Sequence, residues 1–335
     1  MPSGGRRFPT LKQKITYMKP SLKLAGLLAV ATAATALADV KLNENFTTSG
    51  YLAGSYRYVD RDLGASTDKF DLDAAKLLFS GSFKPVTGVL SFYYQPNAPQ
   101  DVTVLDAYAT YDAGGGVSVT AGKFLSYLGY EAFDLAAMAQ ITYANGDFLA
   151  PIPGYHSGVK VDYADETFGA GAALLDSVGS PYYLRGDGEL KHNAGFEGYL
   201  TYKGVKDLTL WSGIAYDTKG NFNAHSKVTY DFWASYVMGA STFAGELAYS
   251  DAGFGAKGYN WLAFYSYAFD GAFSTAFRLS GEKIKDDAGY VKYTVAPSYK
   301  LSENLYVRAE VSYQDYSQYS ENHALFFGVQ TLFKF

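Results

Sequence analysis

Apolar side chains recur at every second residue in sixteen segments of about nine to fourteen residues, which follow one another from residue 46 to the end of the chain. The clearest stripe runs from Val228 to Met238, and another runs from Leu105 to Tyr111. Successive side chains of a β-strand point to opposite faces, so each segment predicts a strand with one apolar face. Such a face needs something apolar against it, which is either a protein core or lipid.

The connections between these segments alternate between short and long. Residues 85–88 and 114–116 are short turns, Asp270-Gly271 predicts a two-residue hairpin of the primed type, and residues 126–154 form the longest connection. A soluble β-sandwich also has alternating strands, but its connections do not alternate in length so regularly. In bacterial outer-membrane barrels short turns face the periplasm and long loops face outward. We therefore predict an all-β fold, a transmembrane antiparallel up-and-down β-barrel of sixteen strands, with counts of fourteen and eighteen left open.

The composition agrees with a barrel in a membrane. The chain has 31 Tyr, 23 Phe and 35 Gly but only 10 Pro, a mixture that suits strands and tight turns. Tyrosine also suits the girdle where lipid tails meet head groups. Because the chain has no cysteine, disulfides, thiolate zinc sites and cysteine nucleophiles are excluded.

The first 38 residues predict a secretory signal peptide. They carry six basic residues and no acid, an apolar stretch over residues 24–34, and a small-x-small cleavage pattern at Ala36-Leu37-Ala38. The alternative, a retained membrane anchor, needs a longer apolar run. We expect residues 39–335 to form a single barrel domain, and Met18 is the more natural start. Cleavage leaves 22 basic residues against 33 acidic ones, a formal net charge of −11, which argues against nucleic acid as a partner.

Four short motifs resemble the OmpL-like β-barrel porins. They are Leu105-Asp106-Ala107-Tyr108, Ala121-Gly122-Lys123-Phe124, Leu128-Gly129-Tyr130-Glu131 and His156-Ser157-Gly158-Val159. The match is close over about sixty residues and follows only the pattern elsewhere. The resemblance implies an outer-membrane channel. It also implies that the last strand, with Phe333 and Phe335, is a signal for the barrel-assembly machinery, and it implies no substrate.

Charged residues fall between the apolar stripes, on the opposite face of the strands. The predicted pore-lining residues are seven bases and seven acids, namely Arg57, Lys76, Lys160, Lys227, Arg278, Lys292, Arg308, Asp106, Asp162, Glu197, Asp231, Glu246, Glu282 and Glu310. An Arg or Lys that faces lipid at the midplane costs about 2–4 kcal/mol, so this face must see water. Sixteen strands enclose an aqueous channel, which leaves the apolar stripes to face lipid. Two alternatives stay open: the side chains plug a narrower barrel, or a given charge only solvates the interior.

The longest connection, residues 126–154, is a candidate constriction loop. Its charged residues are all acidic: Glu131, Asp134 and Asp147. In general porins, which this arrangement resembles, the loop after strand five folds into the barrel and narrows it. We expect the loop acids to face wall bases, with Arg57, Lys76 and Arg308 as candidates, because opposed charges set selectivity by field and diameter. The apolar segment 132–139 leaves open whether the loop lies free in the lumen or packs on the wall.

These features predict a porin, a water-filled channel for passive diffusion of ions and small polar solutes. We expect no enzyme, cofactor or metal, because the histidines at 156, 192, 225 and 323 have no catalytic motif beside them. The alternative is a structural or adhesive barrel that acts through its external loops. The expected partners are outer-membrane lipid, lipopolysaccharide, the barrel-assembly machinery and small polar solutes. A homotrimer is left open, and the sequence encodes no readable solute preference.

Overall fold

The computed structural model describes residues 39–335 except 97–101, 132–133, 145–148, 150–151, 179–189, 191–192, 220–224, 252, 254–255 and 318–321. Within these residues, sixteen antiparallel strands form a sheet that closes on itself. The strands are β1 (Phe46–Arg61), β2 (Thr67–Phe83), β3 (Val86–Tyr94), β4 (Val102–Gly114), β5 (Val117–Leu125), β6 (Tyr155–Ala164), β7 (Phe168–Leu175), β8 (Gly195–Tyr202), β9 (Leu208–Asp217), β10 (Lys227–Met238), β11 (Ser241–Asp251), β12 (Lys257–Ala268), β13 (Phe273–Ile284), β14 (Gly289–Lys300), β15 (Leu305–Ser317) and β16 (His323–Lys334). The predicted strand count and up-and-down order are confirmed.

The barrel closes between its first and last strands. β16 pairs with β1, with Phe333 opposite Leu52, and a two-residue strand, Val40–Lys41, pairs with the start of β1. The pairing extends to the terminal residue, because Phe335 and Gly50 exchange backbone hydrogen bonds of 2.8 and 3.0 Å. A Cβ on Gly50 would lie 2.7 Å from the Phe335 ring. Gly50 therefore leaves room for the last aromatic side chain to lie flat on the first strand.

The apolar stripes form the outer face of the barrel. In β10 the side chains of Tyr230, Phe232 and Tyr236 are exposed, whereas the intervening Asp231 and Trp233 are buried. This alternation follows from the pleat of the strand, which sends successive side chains to opposite faces. The outer face is therefore apolar and aromatic, and the polar residues point into the barrel.

The two ends of the barrel differ in the length of their connections. Residues 126–154, 176–194 and 218–226 are the longest and lie at one end, which we call the loop side. The other end, the turn side, has short connections such as residues 84–85, 115–116 and 239–240. The described part of the long loop (residues 126–154) contains one 3₁₀ turn, Leu135–Ala137, capped by the side chain of Asp134. Among the residues described, no helix is long and apolar enough to cross a membrane.

Two local predictions were wrong. Leu105 was expected on the outer face, but a bulge opposite Leu90 and Phe92 shifts the register of β4 and turns Leu105 inward, where it is buried. The turn at Asp270-Gly271 was expected to be a two-residue primed turn, but neither residue has the positive φ that such a turn requires. Instead the Asp270 carboxylate accepts hydrogen bonds from the N–H groups of Ala272 and Phe273. This local hydrogen bonding favours a four-residue connection.

Candidate functional site

The fourteen predicted pore residues all lie in strands, and they alternate with the outward stripes. Ten of them hydrogen-bond to the long loop: Lys76, Asp162, Glu197, Asp231, Glu246, Arg278, Glu282, Lys292, Arg308 and Glu310. These ten residues come from strands on most of the circumference, from β2 through β6 and β8 to β15. The long loop therefore lies inside the barrel, in contact with the wall.

Five wall carboxylates accept hydrogen bonds from backbone N–H groups of the long loop. Glu197 accepts from Tyr127 (3.0 Å), Asp231 from Gly129 (2.9 Å), Glu246 from Tyr130 (2.6 Å), Glu282 from Leu149 (3.1 Å), and Glu310 from Ile141 (2.6 Å) and Thr142 (2.8 Å). A loop inside a barrel has no neighbouring strand to pair with, so its buried amides need other acceptors. Ionised acceptors make the stronger hydrogen bonds, and the wall supplies them.

Wall cations bind the oxygen atoms of the same loop. Nη1 of Arg278 lies 2.8 and 2.9 Å from the two carboxylate oxygens of Glu131, and Lys76 lies 3.0 Å from Asp134. Other wall cations donate to loop carbonyls: Arg308 to Leu135, Met138 and Gln140, Lys292 to Tyr143, and Lys334 to Ala136. The wall therefore matches both the donors and the acceptors of the loop backbone.

The expected pairing of loop acids with wall bases holds for only one of the three candidates. Lys76 lies against Asp134, as expected. Arg57 instead pairs with Asp73 of β2 at 2.5 Å, because the two strands place these side chains side by side on the inner face. Arg308 contacts loop carbonyls rather than loop acids, and Asp147 lies outside the residues described. The partner of Glu131 is Arg278, which was not among the candidates.

The first part of the long loop packs on three stacked aromatic rings of the wall. Tyr199, Trp211 and Trp233 point inward from β8, β9 and β10, with ring centroids 6.2 and 5.7 Å apart and planes within 9° and 7° of parallel. Tyr127 lies 4.6 Å from Tyr199, and Tyr130 lies 5.6 Å from Trp233. These contacts bury large aromatic surfaces, and they add to the hydrogen bonds that residues 126–130 make to wall carboxylates.

The turn-side half of the lumen contains a cavity of about 570 Å³. Ala136, Ala137 and Met138 of the long loop line it on the loop side. Its wall is rich in hydroxyl groups, from Thr110, Ser118, Thr120, Thr242, Ser266, Ser274 and Ser298. The charged side chains with the largest exposed fractions here are Asp134 (22 %), Asp162 (17 %), Lys160 (13 %) and Asp106 (11 %). These most exposed charges are three acids and one base, and the cavity is also lined by Glu131, Lys76, Arg308 and Lys334.

Three inward charges were missed in the sequence. Lys334 donates to the loop at Ala136, and Asp73 accepts from Arg57, Ser55 and Gln330. Asp217 accepts from the N–H group of Val178 and the hydroxyl of Ser177, so it holds the start of the second long connection, residues 176–194. The alternation of side chains along their strands is enough to place Lys334 and Asp217 on the inner face. Asp73 is harder to assign, because the register of β2 shifts beside it.

Among the described residues, one arrangement resembles a catalytic site, and it is at Glu197. Nε2 of the buried His156 lies 3.5 Å from this carboxylate, and the Ser126 hydroxyl donates to it at 2.6 Å. A serine nucleophile needs its hydroxyl on the histidine, whereas Ser126 donates to the acid. His192 lies outside the described residues, and within the part of the chain that the structure covers no three His, Asp or Glu side chains are placed to hold a metal ion.

A closed sixteen-stranded barrel with an apolar exterior and a charged interior is the architecture of an outer-membrane channel. The sequence model of the family described as "beta-barrel porin-2, OmpL-like" matches residues 73–335 of this chain. The chain therefore belongs to this porin family, as the four motifs implied. It is a porin of the bacterial outer membrane, a channel for passive diffusion of solutes.

Solved porins have the same fold. The anion-selective porin from Comamonas acidovorans superposes with a TM-score of 0.64 at 14 % identity, over 87 % of this chain and 99 % of that chain. OmpF of Salmonella typhi, in complex with daunomycin, superposes with a TM-score of 0.66 at 13 % identity, over 88 % of this chain and 100 % of that chain. The trimer form of Vibrio cholerae OmpT superposes with a TM-score of 0.62 at 13 % identity, over 87 % of this chain and 100 % of that chain. Such low identity shows the fold alone, and a comparison with curated proteins by sequence gives no match.

Proposed function

We propose that the long loop is the constriction of this porin, and that the fourteen predicted wall residues determine the path in two ways. Ten of them bind the loop, and some, such as Asp162, also line the space that the loop leaves free. The observation that carries the proposal is the set of wall carboxylates on loop amides, from Glu197 at one end of the loop to Glu282 near the other. A loop whose described residues from Tyr127 to Leu149 bind the inner wall sets the diameter of the path.

We further infer that the path prefers cations. Asp106, Asp134 and Asp162 are partly exposed to the cavity against a single partly exposed base, Lys160. Each acid has a cation nearby: Lys76 lies 3.0 Å from Asp134 and 3.4 Å from Asp106, Lys160 lies 3.9 Å from Asp162, and Arg278 lies 2.8 Å from Glu131. Because Lys76 and Arg278 are more deeply buried than Asp134, Asp162 and Asp106, the charge in contact with the cavity is negative in balance, and charged rings of one sign select ions of the other sign.

The test is the reversal potential of the purified protein in a planar bilayer under a salt gradient. A unit charge about 4 Å away contributes about 1 kcal/mol in water, so Asp134→Asn should raise the anion-to-cation permeability ratio severalfold. Asp165→Asn, in a short connection on the turn side, is the matched control and should leave the ratio unchanged. An unchanged permeability ratio for both Asp134→Asn and Asp162→Asn would show that neither the loop nor the cavity determines ion selectivity.

We also propose that the barrel has no enzymatic activity, because Ser126 hydrogen-bonds to Glu197 rather than to His156. Lipid and lipopolysaccharide contact follows from the apolar outer face. A homotrimer is supported by analogy with the trimer form of Vibrio cholerae OmpT, and the mass of the detergent-solubilised protein in solution tests it.

The last strand is the proposed signal for the barrel-assembly machinery. Phe333 is exposed on the outer face. Phe335 exchanges backbone hydrogen bonds with Gly50, where the last strand meets the first. Deleting Phe335 should lower the yield of folded barrel while the barrels that do form conduct normally. A normal yield from this deletion would contradict the role of the terminal residue.

A further inference from the structure

The docked long loop covers much of the wall in the loop-side half of the lumen. Every strand except β7 carries at least one inward polar side chain that is more than nine-tenths buried, for example Ser91 in β3, Asn260 in β12 and Gln330 in β16. The inward side chains of an open aqueous channel are in contact with water, which these are not. The docked loop therefore leaves a narrow path, and a wider one requires the loop to move.

The two parts of the loop differ in how much aromatic packing supports their polar contacts. Residues 126–130 donate N–H groups to wall carboxylates, and their side chains also pack on the aromatic rings of Tyr199 and Trp233. The plug, which we define as residues 134–144, is held by hydrogen bonds and ion pairs to Lys76, Arg308 and Glu310. Hydrogen bonds and charges lost from the wall are replaced by water when the plug leaves, whereas the apolar contacts of residues 126–130 have no such replacement. The plug should therefore detach while residues 126–130 stay docked.

The wall also contains a place shaped for the plug. Gly328 points into the lumen from β16, and a Cβ at this position would lie 3.1 Å from Cδ1 of Ile141. The same Cβ would lie 2.8 Å from the ring of Phe326. Glu310, which is the cross-strand partner of Gly328, accepts from the N–H groups of Ile141 and Thr142. The absent side chain and the adjacent carboxylate together fix one position for the plug.

We propose that residues 134–144 are a displaceable plug, and that the barrel has a second, wider conducting state in which the plug has left Gly328 and Glu310. This inference rests on the proposed role of the long loop as the constriction. In the wider state the wall charges become solvated and line the path, and polar solutes too large for the docked state pass.

A reversible crosslink tests the proposal directly. The chain has no cysteine, so Ile141→Cys with Gly328→Cys adds the only two thiols. In planar bilayers, the oxidised double variant should show the larger conductance state at least about tenfold less often than the same protein after reduction. The two single-cysteine variants are the controls and should not respond to oxidation. Equal frequencies before and after reduction of a verified disulfide would overturn the plug.

A side chain at Gly328 tests the proposed plug in the opposite way, by favouring the state in which the plug has left the wall. Gly328→Val should displace Ile141 and raise the frequency of the larger state about tenfold, which corresponds to about 1.4 kcal/mol. Gly245→Val is the matched control, because Gly245 faces outward on β11 and its Cβ would meet nothing closer than 3.7 Å. Unchanged conductance of folded Gly328→Val would contradict the proposal.

The failure of the plug and the failure of the channel give different results. A folded barrel, verified by its heat-dependent shift on gels, that conducts in no variant would overturn the constriction and the path themselves. A barrel that conducts in one state, unaffected by the crosslink and by Gly328→Val, would overturn only the plug.

Discussion

The loop-side and turn-side halves of the lumen are built from different side chains. On the loop side the wall is charged, and residues such as Glu310, Arg278 and Glu282 are almost fully buried against the long loop. On the turn side the wall consists largely of serine and threonine around an open cavity. Charge in this barrel is therefore densest where there is least free space.

The difference shows that an inward charge has two separate uses. Buried charges satisfy the backbone of the loop, since an amide without a partner costs about 1–3 kcal/mol. Charges at the edge of the cavity, such as Asp162 and Lys160, keep contact with solvent and act on what passes. An inward charge is thus a pore residue only where the loop leaves it exposed.

The largest expected effect comes from breaking a buried ion pair on the loop side. Arg278→Ala leaves Glu131 buried without its cation, which should destabilise the docked loop by about 3–5 kcal/mol. Hydrogen exchange of residues 134–144 in the folded barrel should then become much faster. Arg57→Ala is the control, because Arg57 is partly exposed and pairs with Asp73 rather than with the loop. Equal protection in both variants would mean that the ion pair does not hold the loop.

A new charge should have opposite consequences in the two halves. Ser266→Lys adds a base to the hydroxyl wall of the cavity, where it can stay hydrated, and should shift the reversal potential toward anions without changing the exchange of the loop. Ser250 on the loop side is buried and hydrogen-bonded to Thr229. Ser250→Lys buries the same charge there, so it should lower the yield of folded barrel or the protection of the loop from hydrogen exchange. Identical behaviour of the two variants would erase the distinction between the halves.

Much of the fold could be predicted because one pattern repeats along the whole chain. β10 was expected from residue 228 and begins at Lys227, since its alternation is complete. β2 begins at Thr67, and its first residues have no such signal, because Asp68 and Lys69 are charged although they pair with β1. Leu105 was misplaced because a bulge changes the phase of the alternation without leaving a clear signal in the sequence.

The candidate site could be predicted only in part, for a physical reason. Alternation places Asp231 and Glu310 on the inner face, and this needs only the local sequence. The partner of Asp231 is the backbone N–H group of Gly129, about a hundred residues earlier in the chain. Backbone amides carry no side-chain signature, so no residue pattern indicates which carboxylate a loop will meet. Alternation therefore predicts which charges point inward, whereas the partners of those charges have no signal in the sequence.

The smallest expected effect lies in the turns outside the membrane on the turn side. The N–H groups of Phe168 and Thr167 hydrogen-bond to Asp165 and lower its pKa, as those of Phe273 and Ala272 do for Asp270. A pKa below its unfolded value means that the stabilisation is present above that value and is lost as the pH falls through the folded pKa. The thermal stability of the barrel should therefore fall slightly on acidification below about pH 4.

The Asp165→Asn and Asp270→Asn double variant isolates this effect, since asparagine can keep the cap but does not titrate in acid. Its melting temperature should change less with acid than that of the unchanged protein, while hydrogen exchange of the long loop stays the same in both. The turns and the loop are then independent units at opposite ends of one barrel. If the double variant instead altered loop exchange, the two halves of the lumen would be coupled through the wall, and the separation between them would fail.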